Sequence, residues 1–215
     1  GAALVWPERG SNLAFEYHGG DAAETDALFA SAVRVVALDI VNQRVVSNYM
    51  EPRSAIGEYD PASGRYTLTT GTQGGHGMRK VIAQHILKID ESRLRVVTPD
   101  VGGGFGTKNF CYSEYPLVLK AAEALGAPVK WTGGRDDHFV IDSHGRDNVT
   151  RGELALDGEG RVLAMRVDLV AAMGAYLHQF GPEIPSGGIT MATGLYDIPA
   201  FFVRVRGDFT NTTPT

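Results

Sequence analysis

The 215-residue sequence has very little cysteine: Cys111 is the only one. A lone thiol excludes a disulfide framework, and it excludes an iron–sulfur cluster held within this chain, which would need about four thiolates. Its scarcity favours a reducing, cytoplasmic setting. Long apolar runs are also missing, so no transmembrane helix and no secretory signal is predicted. Nor is there an excess of positive charge. With 20 Lys and Arg against 25 Asp and Glu, the net charge is −5, which argues against a nucleic-acid partner. The six histidines show no metal-ligand spacing, and no Ser-His-Asp hydrolase pattern appears.

What is abundant is glycine, with 27 residues, while the hydrophobic fraction stays at 43%. That combination fits turns and ligand loops in a folded domain better than disorder. A chain of this length buries roughly 70% of its unfolded surface and needs no staple to fold, as one large domain or two small ones. The densest glycine run is Asp100-Val-Gly-Gly-Gly-Phe-Gly-Thr-Lys108. It follows an apolar strand at 93–98. A second polar turn, Thr72-Gln73-Gly74-Gly75-His76, precedes it by about thirty residues. Glycine runs of this kind let backbone approach a ligand or take positive φ. Two nucleotide loops are excluded. Thr107 separates the last glycine from Lys108, against the phosphate-binding P-loop, and Thr107 also stands where a dinucleotide fingerprint needs its third glycine.

Local patterns predict strands at 13–17, 33–41, 129–132 and 200–205. They also predict a helix over 21–32, a hairpin of 55–59 with 66–70, and a helix over 77–88 from the spacing of Met78, Val81, Ile82, Ile86 and Ile89. Ser113 is read as the cap of a helix to Leu125 that Gly126 ends. Residues 149–156 and 161–172 flank Asp157-Gly158-Glu159-Gly160 as a second hairpin, and 181–194 reads as a loop with one helical turn. Hairpins outnumber β-α-β units, so an α+β fold is expected, with an antiparallel or mixed sheet and helices packed on one side.

Several stretches together resemble a known family. Asn48-Tyr-Met-Glu-Pro-Arg53, the Thr72-Gln73 turn, Asp100 to Lys108, Gly126-Ala-Pro-Val-Lys-Trp131, Gly174-Ala-Tyr176, Tyr196-Asp-Ile-Pro199 and Thr210-Asn-Thr-Thr-Pro214 occur in the order found in the molybdenum hydroxylases. The chain is similar to the molybdenum-cofactor-binding large subunit of the xanthine dehydrogenase, aldehyde oxidase and carbon monoxide dehydrogenase family. The resemblance implies that residues 1–215 are the first molybdopterin-binding region of a larger subunit, with the C-terminal half of the cofactor site lying elsewhere. It implies hydroxylation of an aldehyde, carbon monoxide or a small heterocycle, with water as oxygen donor. The cofactor would be molybdenum on molybdopterin, in the cytosine dinucleotide form for a bacterial source.

The same resemblance implies as partners the remainder of the subunit, iron–sulfur and FAD modules, and a homodimeric assembly. It gives cofactor-binding roles to Gln73, Gly74, Gly102, Gly103, Gly104, Phe105 and Gly106. Gln73 would donate a hydrogen bond to a metal-bound oxygen, with the Gly106 N–H nearby, and no residue of this chain would ligate the metal directly. By itself Gln73 reads equally as a solvent-facing turn residue, and Phe105 as an aromatic plug. Lys108 reads as solvated at least as readily as ligand-facing. His76 reads as a cofactor contact or a helix cap, and Cys111 as a packed side chain. Asn109 stands where purine-oxidising members carry a glutamate, and an amide supplies neither that charge nor its acid–base behaviour. The family's catalytic glutamate has no counterpart here, so the isolated chain is expected to be inactive and to lack the cofactor. A non-catalytic binding or assembly module is the alternative.

Overall fold

The computed structural model describes residues 2–215. In chain order the elements are β1 (Leu13–Gly20), α1 (Ala22–Ser31), β2 (Arg34–Asn42), β3 (Ser54–Asp60), β4 (Arg65–Thr70), α2 (Gly75–Lys80), β5 (Leu94–Val97), α3 (Glu114–Leu125), β6 (Val129–Thr132), α4 (Arg135–Ile141), β7 (Asn148–Leu156), β8 (Val162–Ala172), α5 (Glu183–Gly187) and β9 (Ala200–Asp208). No helix among the described residues is long and apolar enough to cross a membrane. The fold is α+β, with two mixed sheets belonging to two compact units.

One unit runs up to Val45 and resumes at His144. Its five-stranded sheet has the order β1-β9-β8-β7-β2, antiparallel except for the parallel pair β8–β9. The β7–β8 hairpin turns where Asp157 accepts the backbone N–H groups of Glu159 and Arg161. α1 starts where Asp21 accepts the N–H of Glu24 at 2.9 Å, a side-chain cap for an otherwise unpaired donor. Its Leu28 and Phe29 rest on Ala155, Ala164 and Ala200, small residues that let the helix lie close to the sheet. Arg44 fixes the C-terminal residues of this unit, donating to Asp147 Oδ2, to the Thr213 carbonyl and to Thr212 Oγ1.

The other unit, Val46–Ser143, carries a four-stranded sheet of order β5-β4-β3-β6. β3 pairs antiparallel with β4 and β6, whereas β4 and β5 run parallel, from Tyr66 opposite Leu94 to Thr69 opposite Val97. α3 covers the sheet with Tyr115, Val118, Leu119 and Ala122 against buried Ala55, Tyr66 and Leu68. Ser113 does not cap this helix through its side chain. Its own backbone is already helical, and the αL Gly126 ends the helix as expected. The helix expected over 77–88 becomes α2 followed by a π-helical stretch, Val81–Leu87. The wider turn shifts the phase, so Met78 and Ile82 stay buried while Ile86 is exposed.

Candidate cofactor site

The parallel pairing of β4 with β5 explains why two distant loops meet. Both strands end at the same edge of the sheet, so the turn after β4 and the glycine loop after β5 emerge side by side. Lys108 joins them: its carbonyl accepts the N–H of Gln73 at 3.2 Å and the hydroxyl of Thr72 at 3.1 Å. The N–H of Gly106 then donates to Gln73 Oε1 at 2.9 Å. A backbone N–H can only donate, so this bond sets which end of the amide is which. The carbonyl oxygen faces Gly106, and the Nε2 donors are left without an acceptor among the described residues. The Gly106 N–H is thus engaged by Gln73 itself.

The remaining loop residues share this place. Gly103 and Gly106 have φ of +92° and +94°, and Phe105 sits at φ +49°, a region an aromatic residue adopts rarely. Phe105 is 76% exposed, so its ring is not a core plug. Gly104 is buried where a Cβ would lie 2.5 Å from Gln73 Oε1. A Cβ on Gly102 would lie equally close to the Cβ of Glu51. Gly74 precedes α2, and a Cβ there would touch Asn109 Oδ1 at 3.5 Å. His76 caps nothing; it is an exposed residue inside the first turn of α2. Among the described residues no cluster of three or more His, Cys, Asp or Glu is placed to hold a metal ion. Cys111 is half-buried, and burial pushes its thiol up to about 11, away from nucleophilic reactivity.

Beside the loop runs the segment Tyr49 to Arg53, which bends at Met50 and Glu51. Tyr49 is 1% exposed; its Cβ would meet a Cβ placed on Gly103 at 3.2 Å. Its hydroxyl donates to Asp142, and burial together with that carboxylate pushes the phenol well above its usual range. Asp142 also accepts from Arg53 Nε at 2.6 Å and contacts His138 Nδ1 at 2.7 Å. The Arg53 guanidinium lies 3.6 Å from the Tyr112 ring centroid and pairs with Glu114. Burial would lower its pKa, and the acidic partners more than offset that. Between them, Glu51 accepts from the Gly102 N–H at 2.8 Å and from Lys108 Nζ at 2.5 Å. Lys108 is fully buried, contrary to the solvated lysine read from the sequence. Its partner lies 57 positions away, so no local pattern announces the pairing. The available sequence signal was that Tyr49, Glu51 and Arg53 fall within the family-like stretch 48–53.

Fold and loop geometry define a class. A family model for the molybdopterin cofactor-binding domain matches residues 5–215, and the chain belongs to that family. Among curated relatives it is 35% identical over 209 residues to the carbon monoxide dehydrogenase large chain of Hydrogenophaga pseudoflava, covering 97% of this chain and 26% of that protein. It is 36% identical over 192 residues to the 6-hydroxypseudooxynicotine dehydrogenase complex subunit gamma of Paenarthrobacter nicotinovorans, covering 89% and 24%. Among solved structures, carbon monoxide dehydrogenase from Oligotropha carboxidovorans superposes with TM-score 0.85 at 32% identity, over 94% of this chain and 25% of that one. Quinoline 2-oxidoreductase from Pseudomonas putida 86 gives TM-score 0.86 at 30% identity, over 94% and 26%. The chain therefore spans about a quarter of the length of the proteins it matches. Those relatives are oxidoreductases by name.

Proposed function

We propose that this chain is the first molybdopterin-binding region of a larger molybdenum-hydroxylase subunit, and that Gln73 with the Gly102–Gly106 loop forms one wall of the cofactor site. The observation that carries the reading is the bond from Gly106 N–H to Gln73 Oε1. It holds the amide so that Nε2 presents donors beside a side-chain-poor loop, a set suited to a partly anionic, oxygen-bearing group. The donor was oriented before any ligand arrives, so it has no rotamer left to freeze. Gly74, Gly102, Gly103 and Gly104 would let backbone lie against the pterin, and the exposed Phe105 would give the site an apolar side.

When bound, the molybdenum cofactor would supply the redox chemistry of hydroxylation, with water as oxygen donor. This chain's residues would bind and orient it. Carbon monoxide, an aldehyde or a small heterocycle are the substrates proposed, in keeping with the amide at Asn109. The base, the rest of the pocket, the iron–sulfur and FAD modules and a homodimeric partner would come from outside these residues. The cytosine dinucleotide form of the cofactor and a cytoplasmic location complete the proposal. The isolated 215 residues would be inactive. Metal analysis of the complete subunit tests the reading: about one molybdenum per polypeptide is expected, with a loss of roughly tenfold in Gln73→Ala. A wild-type subunit free of molybdenum would overturn it.

A further inference from the structure

We propose that Glu51 and Lys108 form a clamp that sets the glycine loop for its ligand, Glu51 acting as the positioning residue; this rests on the reading above. A single carboxylate oxygen, Glu51 Oε2, accepts from both the Gly102 N–H at 2.8 Å and Lys108 Nζ at 2.5 Å. The Glu51 N–H returns a bond to the Gly102 carbonyl at 3.2 Å. The carboxylate thus ties the first glycine of the loop to the lysine that ends it. At its other end Lys108 registers the neighbouring turn, because its carbonyl accepts from Gln73 N–H and Thr72 Oγ1. One residue therefore couples Glu51, the loop and the candidate donor Gln73.

The arrangement is not what stability alone would select. The Lys108 side chain is 1% exposed, whereas that of Glu51 is 39% exposed. Desolvating the ammonium opposes much of the attraction, and an apolar side chain of similar size commonly packs at least as well. What an ion pair adds is a fixed geometry. The surroundings are shaped for it. A Cβ on Gly71 would come within 3.3 Å of Glu51 Oε2 and 3.7 Å of Lys108 Nζ, so glycine leaves the pair room. The ammonium also lies 4.6 Å from the Tyr49 ring centroid, the ring's electron-rich face completing its surroundings. With its charge matched by Glu51, the lysine holds the loop from below, and the loop's exposed side keeps backbone and amide donors for the ligand.

The test uses the complete subunit as purified, in wild-type, E51Q, K108M and E51Q/K108M forms. Hydrogen–deuterium exchange is followed over residues 100–108 and over β8, together with molybdenum retained per polypeptide after dilution. E51Q keeps a carbonyl oxygen that can accept from Gly102, removes the charge and puts an NH2 donor in place of the second oxygen. Exchange over 100–108 should rise about tenfold with β8 unchanged, and retained molybdenum should fall roughly tenfold. K108M should match E51Q, and the double variant should be no worse than either single one. Unchanged exchange over 100–108 overturns the clamp. So does an equal rise in β8, which would mean general destabilisation, and so does wild-type molybdenum retention by a loosened loop. A wild-type subunit without molybdenum sinks the proposed function instead, and the exchange comparison then still decides the clamp.

Discussion

At the scale of single residues, two glycines of the same loop separate steric room from backbone strain. Gly104 does not have positive φ, yet its missing Cβ is where Gln73 Oε1 sits. Gly104→Ala should therefore displace the amide and lower retained molybdenum, while the melting temperature shifts by only a few degrees, about 1–3 kcal/mol of overpacking. Gly106 has φ +94° and open space around the missing side chain. Gly106→Ala should act through strain, about 1–3 kcal/mol in a denaturant titration, leaving Gln73 in place. Equal molybdenum loss in both variants would count against an oriented amide. Glu51 supplies a pH signature. Partial burial pushes its carboxyl up, but the bonds from Lys108 and Gly102 prevail and hold it below 4.5. A depressed folded value means that the stabilisation is fully present above the unfolded value and is lost as pH falls through the folded one. The melting-temperature gap between wild type and E51Q should thus be widest near neutrality and close below pH 4.5. A gap that widens on acidification would contradict the assignment. Residues of this kind were unevenly legible. The glycines stood out because missing side chains are visible in a sequence, and Gln73 stood out only through the family resemblance. The burial of Lys108 did not, because its cause is a carboxylate 57 positions away.

Elements formed where local chemistry favoured them. Asp21 starts α1, Gly126 stops α3, and the Asp157 turn closes β7 on β8, and each of these signals lies within a few residues of what it controls. The parallel pairs β4–β5 and β8–β9 were not legible, since each needs a crossover that hairpin signals do not encode. Yet the β4–β5 pair is what brings Gln73 and Gly106 together. The π-helical stretch was hidden for a different reason: the same apolar spacing suits an α-helix, and only packing reveals the changed phase. The contact of α3 with its sheet is exacting. A Cβ on Gly57 of β3 would lie 2.5 Å from backbone atoms of Val118. Backbone cannot rotate aside as a side chain does. Gly57→Ala should force the helix outward and destabilise the unit by about 1–3 kcal/mol, read as a lower urea midpoint with an unchanged slope. No change in midpoint would mean that α3 sits on the sheet less tightly than this.

For the whole chain, the informative surface is β2. It is an edge strand, bonded only to β7, and all nine of its residues are exposed. Five of them are Val35, Val36, Leu38, Ile40 and Val41, each between 46% and 68% exposed. Soluble proteins usually blunt such an edge with charge, proline or a covering segment, because its free N–H and C=O groups template pairing with another strand. Arg34 and Asp39 are its only charged members, and Asp39 is engaged with Arg151 of β7. The proteins this chain matches are about four times longer. Produced by itself, the 215-residue chain should therefore self-associate at micromolar concentration, with sedimentation velocity showing dimers or larger species. Lysine at positions 36 and 38, V36K with L38K, should return it to a monomer without lowering its melting temperature, since neither side chain is buried. If the unmodified chain stays monomeric up to about 100 μM, then twist and the charges at 34 and 39 already protect this edge. The apolar strand would then need no covering partner.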